Sequence, residues 1–146
     1  VNRLIFILIF TLTFISAKAQ DFIGLDEQAI RSIMSEKKPE LIIDKKVRNT
    51  TYRYLKYYSK GEDETWIIFI DENGKCNGVR ITCDNNCLNS KIKELNSLYR
   101  SGQTDRWFYR SRGEEISIIL KQEKYFFTVT YEPTQQRRKS GDDRAA

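Results

Sequence analysis

Histidine is absent from all 146 residues. That one absence removes serine and cysteine triads, imidazole acid–base work and histidine-ligated zinc from the chemistry open to the chain. Only three cysteines occur, at 76, 83 and 87, and no two form a C-x-x-C pair, so neither a thioredoxin-type redox centre nor a four-thiolate zinc site is expected. Neither G-x-G-x-x-G nor a phosphate-binding P-loop is present, and no EF-hand pattern of spaced oxygen ligands surrounds Asp71-Glu72-Asn73. The expectation is a non-enzyme with no metal and no cofactor.

The chain is instead marked by apolar runs, and the first is unlike the rest. Arg3 precedes an almost wholly apolar stretch from Leu4 to Ser16, and Ala17-Lys18-Ala19 is a small-x-small cleavage pattern. Residues 1–19 read as a secretory signal peptide, too short for a membrane span, which needs roughly 20 apolar residues. The opposite end, 133–146, has no large apolar side chain and carries Arg137, Arg138, Lys139 and Arg144, the pattern of a disordered basic tail. Between them, residues 21–132 hold 19 basic and 18 acidic side chains. The sequence pI of 9.1 therefore comes largely from the ends. That balance argues against a nucleic-acid partner, and residues 20–132 are long enough for one domain with a single core.

Thr65 to Cys83 is the hairpin that organises this domain. Trp66 to Ile70 is apolar throughout, Asn73-Gly74 suits the pair of positive φ angles of a tight turn, and Val79, Ile81 and Cys83 alternate with Gly78, Arg80 and Thr82. Upstream, Asp26 caps a helix with Ile30, Ile33 and Met34 on one stripe, Leu25 and Ile30 forming its hydrophobic staple; Pro39 ends it. Leu41-Ile42-Ile43 fits a short buried strand or a tucked loop. Asn49-Thr50-Thr51 matches a glycosylation acceptor. Thr51 to Ser59 is a tyrosine-rich strand. Downstream of the hairpin, Leu88, Ile92, Leu95 and Tyr99 recur at helical spacing, with Ser101-Gly102 as the stop. Three more strands follow, around Arg106–Arg110, Ile116–Leu120 and Tyr125–Tyr131. The fold class is α+β: a two-layer sandwich with an antiparallel sheet and two helices on one face. The sequence of elements, and the likeness of Tyr54–Glu62 to Trp107–Glu114, suggest an αβββ duplication.

Exported cysteines can be oxidised. Seven residues separate Cys76 from Cys83 on one strand, which predicts opposite faces and roughly 23 Å at 3.3 Å per residue, beyond bridging. Cys83 and Cys87 bracket a turn and are the expected disulfide, which contributes about 2 kcal/mol in the chain-entropy account; three reduced thiols are the alternative.

The Phe22-Ile-Gly-Leu-Asp-Glu27 opening and the Lys93-Glu-Leu-Asn96 helix resemble small uncharacterised secreted or periplasmic proteins of Bacteroidetes type. A capped helix after Gly-Leu followed by antiparallel strands is similar in outline to the outer-membrane assembly lipoprotein BamE and to β-lactamase-inhibitor-like domains. The resemblance implies a periplasmic or secreted protein that binds proteins; BamE's lipid-anchored cysteine has no counterpart. The residues that suit such a role interleave rings and cations on two strands, giving a candidate binding face of Tyr52, Tyr54, Tyr57, Arg106, Trp107 and Tyr109. Ordinary sheet packing is the competing account of the same residues and the one that strand propensity favours. The function expected is an exported, non-enzymatic binding or protein-interaction module of the cell envelope, its partner an envelope protein or extracellular ligand, with no membrane span after signal cleavage. Two alternatives are a carboxylate-only glycan hydrolase, which needs two acids about 5–10 Å apart in one cleft, and a nucleic-acid or anionic-ligand binder.

Overall fold

The computed structural model describes residues 22–45, 53–61 and 63–134. Segment 1–19, read above as a signal peptide, the Asn49-Thr50-Thr51 pattern, Tyr52 and residues from 135 lie outside the described residues. Helix α1 (Glu27–Lys37) is followed by β1 (Leu41–Ile43), β2 (Arg53–Ser59), β3 (Glu64–Ile70) and β4 (Cys76–Asp84). A single 3-10 turn (Asn85–Cys87) leads into α2 (Leu88–Leu98), then β5 (Arg100–Ser101), β6 (Arg106–Ser111), β7 (Glu114–Gln122) and β8 (Phe126–Pro133). All eight strands form one antiparallel sheet in the order β1-β2-β3-β4-β8-β7-β6-β5. Each half is thus a helix and four strands, one strand more than the expected αβββ unit. The added strands are the short edges: Leu41–Ile43, which fitted strand or loop, and Arg100–Ser101, where two polar residues give no hydrophobic signal.

Alternation of side chains across the pleat sends one set to each face. One register row, Leu55, Ile68, Val79, Tyr131, Ile118 and Trp107, crosses six strands, and every member is buried. The adjacent row of Tyr57, Trp66, Ile81, Val129 and Leu120 is buried as well. Full burial of a large apolar side chain stabilises by about 1.5–3 kcal/mol, so these rows supply much of the cohesion. Both helices cover this face. Phe22, just before α1, meets the Trp66 ring edge-on at 6.1 Å, Ile30 and Met34 of α1 join the same core, and on α2 Leu95 is buried while Asn96 Oδ1 accepts from the Trp107 indole N–H at 2.8 Å. The expected α+β sandwich with two helices on one face is the architecture found.

Local chemistry explains the junctions. The Asp26 carboxylate accepts from the Ala29 amide at 2.9 Å, as a helix N-cap should. The β3–β4 turn differs from the expectation: only Gly74 has positive φ (74°), and the turn is a wider loop in which Asp71 Oδ1 accepts from the amides of Asn73 and Lys75, both at 2.9 Å. The carboxylate wins the competition for these backbone donors. Directly after it the register jumps, Phe69 pairing with Gly78 and Ile70 with Cys76, so Asn77 is an extra residue in a β-bulge. The tight turn with two positive φ angles occurs instead at Arg112 (49°) and Gly113 (82°), between β6 and β7. Arg112 is held there by donating to the Ile23 carbonyl. Gly102 does not act as a left-handed helix stop: α2 ends at Leu98, and a Cβ on Gly102 would lie 2.5 Å from the Phe108 ring. Pro133 belongs to β8, and the amide of Thr134 donates to Glu115 O at 2.9 Å, so the ordered body extends past 132.

Facing direction gives a sharp comparison of neighbours. Ile118→Asp, which would bury an unpaired carboxylate, should abolish cooperative thermal unfolding, whereas Ile119→Asp on the opposite face should fold and melt cooperatively; equal melting of the two would remove Ile118 from the core. A second test concerns α1. Bonds from Arg31 (2.7 Å) and then Arg53 (2.6 Å) hold the Glu27 carboxyl below its ordinary value of 4.5. Because the folded pKa is the lower one, this stabilisation is present above the unfolded value and is lost as pH falls through the folded value. Glu27→Gln should melt below the wild type at pH 7, with the gap closing as pH drops beneath 4.5.

Candidate functional site

The pleat divides the residues expected to form one binding face. Tyr54 and Arg106 lie on the face away from the helices, both half-buried. Tyr57 (5 % exposed) and Trp107 (4 % exposed) are core residues, and Tyr109 packs half-buried against Tyr99 at 5.3 Å beneath the helical layer. The correction has a simple cause: Tyr54 and Tyr57 are three residues apart and Arg106 and Trp107 one apart, odd spacings that a strand sends to opposite faces. Their selection by composition ignored that parity.

Applying parity to every strand defines the open face, which no helix covers among the described residues. One row reads Ile42, Tyr58, Thr65, Thr82, Thr128, Lys121 across β1, β2, β3, β4, β8 and β7. The next reads Lys56, Ile67, Arg80, Thr130, Ile119, Arg106 from β2 to β6. Tyr54 and Phe69 pair on the N-terminal side, and Ser117 and Phe108 on the C-terminal side. The first half of this face is therefore aromatic and aliphatic, its middle is threonine-rich, and its far half is cationic. The Arg80 guanidinium lies over the Phe69 ring at 5.8 Å and that of Arg100 over Phe108 at 5.8 Å. An open groove of about 480 Å³ runs over β4, β8 and β7, lined by Arg80, Ile119, Lys121, Glu123, Thr128, Thr130 and Glu132. No family model, curated protein or solved structure matches the chain. The site is therefore read from its own geometry.

Acidic residues cluster in the sequence at 62–64, 71–72 and 114–115, and the carboxylates of these clusters that make side-chain bonds do so separately. Asp63 accepts from Ser59, Glu64 from the Trp66 indole at 2.5 Å, Asp71 ties the β3–β4 turn, and Glu115 pairs with Arg100 at 3.1 Å. Two acids, Glu123 and Glu132, do share the groove. Glu132 stands opposite Ser117, six residues along β7 from Glu123, about 20 Å at 3.3 Å per residue, and Glu123 is paired with Lys121 at 2.6 Å. That separation exceeds what paired carboxylates need for glycoside hydrolysis. Among the described residues no group of three or more His, Cys, Asp or Glu is placed to hold a metal ion.

The expected Cys83–Cys87 disulfide is not formed; all three cysteines are free thiols. Cys83 points from β4 into the core opposite Phe127, while Cys87 is exposed at the end of the 3-10 turn. The Asn77 bulge also resets parity, so Cys76 and Cys83 both face the helices instead of opposite sides. Burial pushes the Cys76 thiol up to about 11 and the Cys83 thiol up to about 12, which keeps both protonated and poorly nucleophilic. A maleimide at pH 8 should label Cys87 in the native protein and reach Cys76 and Cys83 only after denaturation. Native labelling of Cys83, read by peptide mass mapping, would contradict its placement in the core.

Proposed function

We propose that the chain is an exported, non-enzymatic interaction module of the cell envelope, periplasmic or secreted, that engages a protein partner through the open face of its sheet. One observation carries this reading: an eight-stranded sheet has one face closed by two helices while the other leaves Tyr54, Tyr58, Ile67 and Phe69 half-buried and Arg80 exposed. Protein interfaces favour aromatic and arginine side chains at their centres, and a rigid sheet presents them with little conformational entropy left to lose on binding. The likeness to BamE and β-lactamase-inhibitor-like domains points the same way, as does the leader-like segment 1–19. Among the described residues no helix is long and apolar enough to cross a membrane.

We infer as well that the two halves derive from one helix-plus-four-strand unit. Ser59-Lys60-Gly61-Glu62 follows β2 as Ser111-Arg112-Gly113-Glu114 follows β6. Counting back from these serines aligns Leu55 with Trp107 and Tyr57 with Tyr109, and all four face the helices.

The test replaces Tyr54 and Phe69 by Ala, since both lie on the open face and neither closes the core. Envelope protein cross-linked to and co-purified with the wild type should be lost with the double variant while its melting temperature stays within a few degrees. Undiminished recovery would sink the open face as the interaction surface.

A further inference from the structure

Resting on the open-face reading and deepening it, we infer that the partner presents an extended acidic segment, two carboxylates about four residues apart with an apolar side chain beside the first. The open face carries six cations, Lys56, Arg80, Arg100, Arg106, Arg110 and Lys121, and five carboxylates, Asp84, Glu115 and Glu132 from its strands and Asp44 and Glu123 from the residues that follow β1 and β7.

Several of these charges are already answered. Lys56 meets Asp44 at 3.4 Å, Lys121 meets Glu123 at 2.6 Å, and Glu115 bonds Arg100 at 3.1 Å while standing opposite Arg110 in register. Arg80 and Arg106 make no ion pair among the described residues. Glu132 shares the groove with Arg80 without pairing to it. Covering two guanidinium groups with a neutral apolar surface would take them out of water without compensation. A partner that answers them must bring carboxylates, and bidentate arginine–carboxylate pairing would fix its register.

The spacing follows from the sheet. Arg80 on β4 and Arg106 on β6 end the row Arg80, Thr130, Ile119, Arg106, three strand steps or about 14 Å at 4.8 Å each. An extended peptide laid across the strands covers that distance in about four residues. Beyond Arg80 in the same row stands Ile67, with Phe69 beside it on β3. This is an aliphatic and aromatic floor suited to an apolar side chain of a protein, which a hydroxyl-rich acidic glycan would not supply.

The probe is a set of fluorescein-labelled peptides of equal length, titrated by anisotropy against the purified protein at low and high salt. The first carries Glu at two positions four apart with Phe two residues before; in the second both Glu are Gln, and in the third Phe is Ser. A heparin oligosaccharide is run alongside. The expected result is binding of the Glu/Phe peptide, weakened at least tenfold by Glu to Gln in the peptide and by Arg80→Gln with Arg106→Gln in the protein. Arg80→Lys with Arg106→Lys should retain part of it, which separates charge from folding. Equal binding of the Glu and Gln peptides, equal binding by wild type and the Gln variant, or binding of the oligosaccharide alone would overturn the inference. If no peptide binds while envelope capture still depends on Tyr54 and Phe69, the acidic-segment inference fails and the open-face reading stands; if both tests fail, both fall.

Discussion

The antiparallel pairing of β4 with β8 is the interaction on which the other layers depend. These are the last strands of the two halves, and their contact sets Val79 against Tyr131, Ile81 against Val129 and Cys83 against Phe127, all buried. Without it each half would be a helix over four strands with an unpaired edge along a strand of nine or eight residues, a template for aggregation. With it, the backbone donors and acceptors of both strands are satisfied along their shared side, and the register rows of the two halves become continuous. Because the rows run unbroken from Leu55 to Trp107, one core serves the whole body. It also fixes the open face, since the pairing that brings Val79 over Tyr131 brings Arg80 over Thr130.

The strands that could be read from the sequence were those with a dense apolar signal. Trp66–Ile70, Ile116–Leu120 and the alternating run from Phe127 to Tyr131 fall in β3, β7 and β8, and the α1 cap at Asp26 behaves as its chemistry dictates. Elements decided by tertiary contact were not legible. Arg100–Ser101 is a strand because β6 offers it a ladder, not because either residue prefers one. Gly102 resembles a helix stop by position, yet its lack of a side chain is required by the Phe108 ring. Asn77 shows how one residue can redirect an inference: the bulge it makes brings Cys76 to the same face as Cys83, and a strict count of two along the strand misassigns it.

The candidate site followed the same division. Composition singled out β2 and β6, but composition has no parity, and Trp107 and Tyr57 hold the core while Tyr54 and Arg106 face outward. Arg80, Ile67 and Phe69 belong to the hairpin that looked purely structural, because an apolar run covered on one face only leaves every second residue at the other surface. The signal that could have found them is arithmetical: once Trp66, Ile68, Val79 and Ile81 are assigned inward, Ile67, Phe69 and Arg80 must point the other way.

What can meet this sheet is limited by its margins as well as by its face. A partner that adds a strand draws its affinity from the backbone ladder of an exposed edge. Here the two edges are β1, with three residues, and β5, with two. Edges that short offer few hydrogen bonds, and natural sheets shorten their edges to discourage such pairing. Recognition is then left to side chains standing up from the broad face, where threonine hydroxyls and arginine forks keep the surface hydrated until a complementary one displaces the water. As the proposed interaction surface, such a face would discriminate by charge and shape instead of by backbone, because a neutral apolar surface would strand Arg80 and Arg106 in a dry interface. On the proposed reading, Arg80 and Arg106 thereby set the charge condition that a partner of this face must meet.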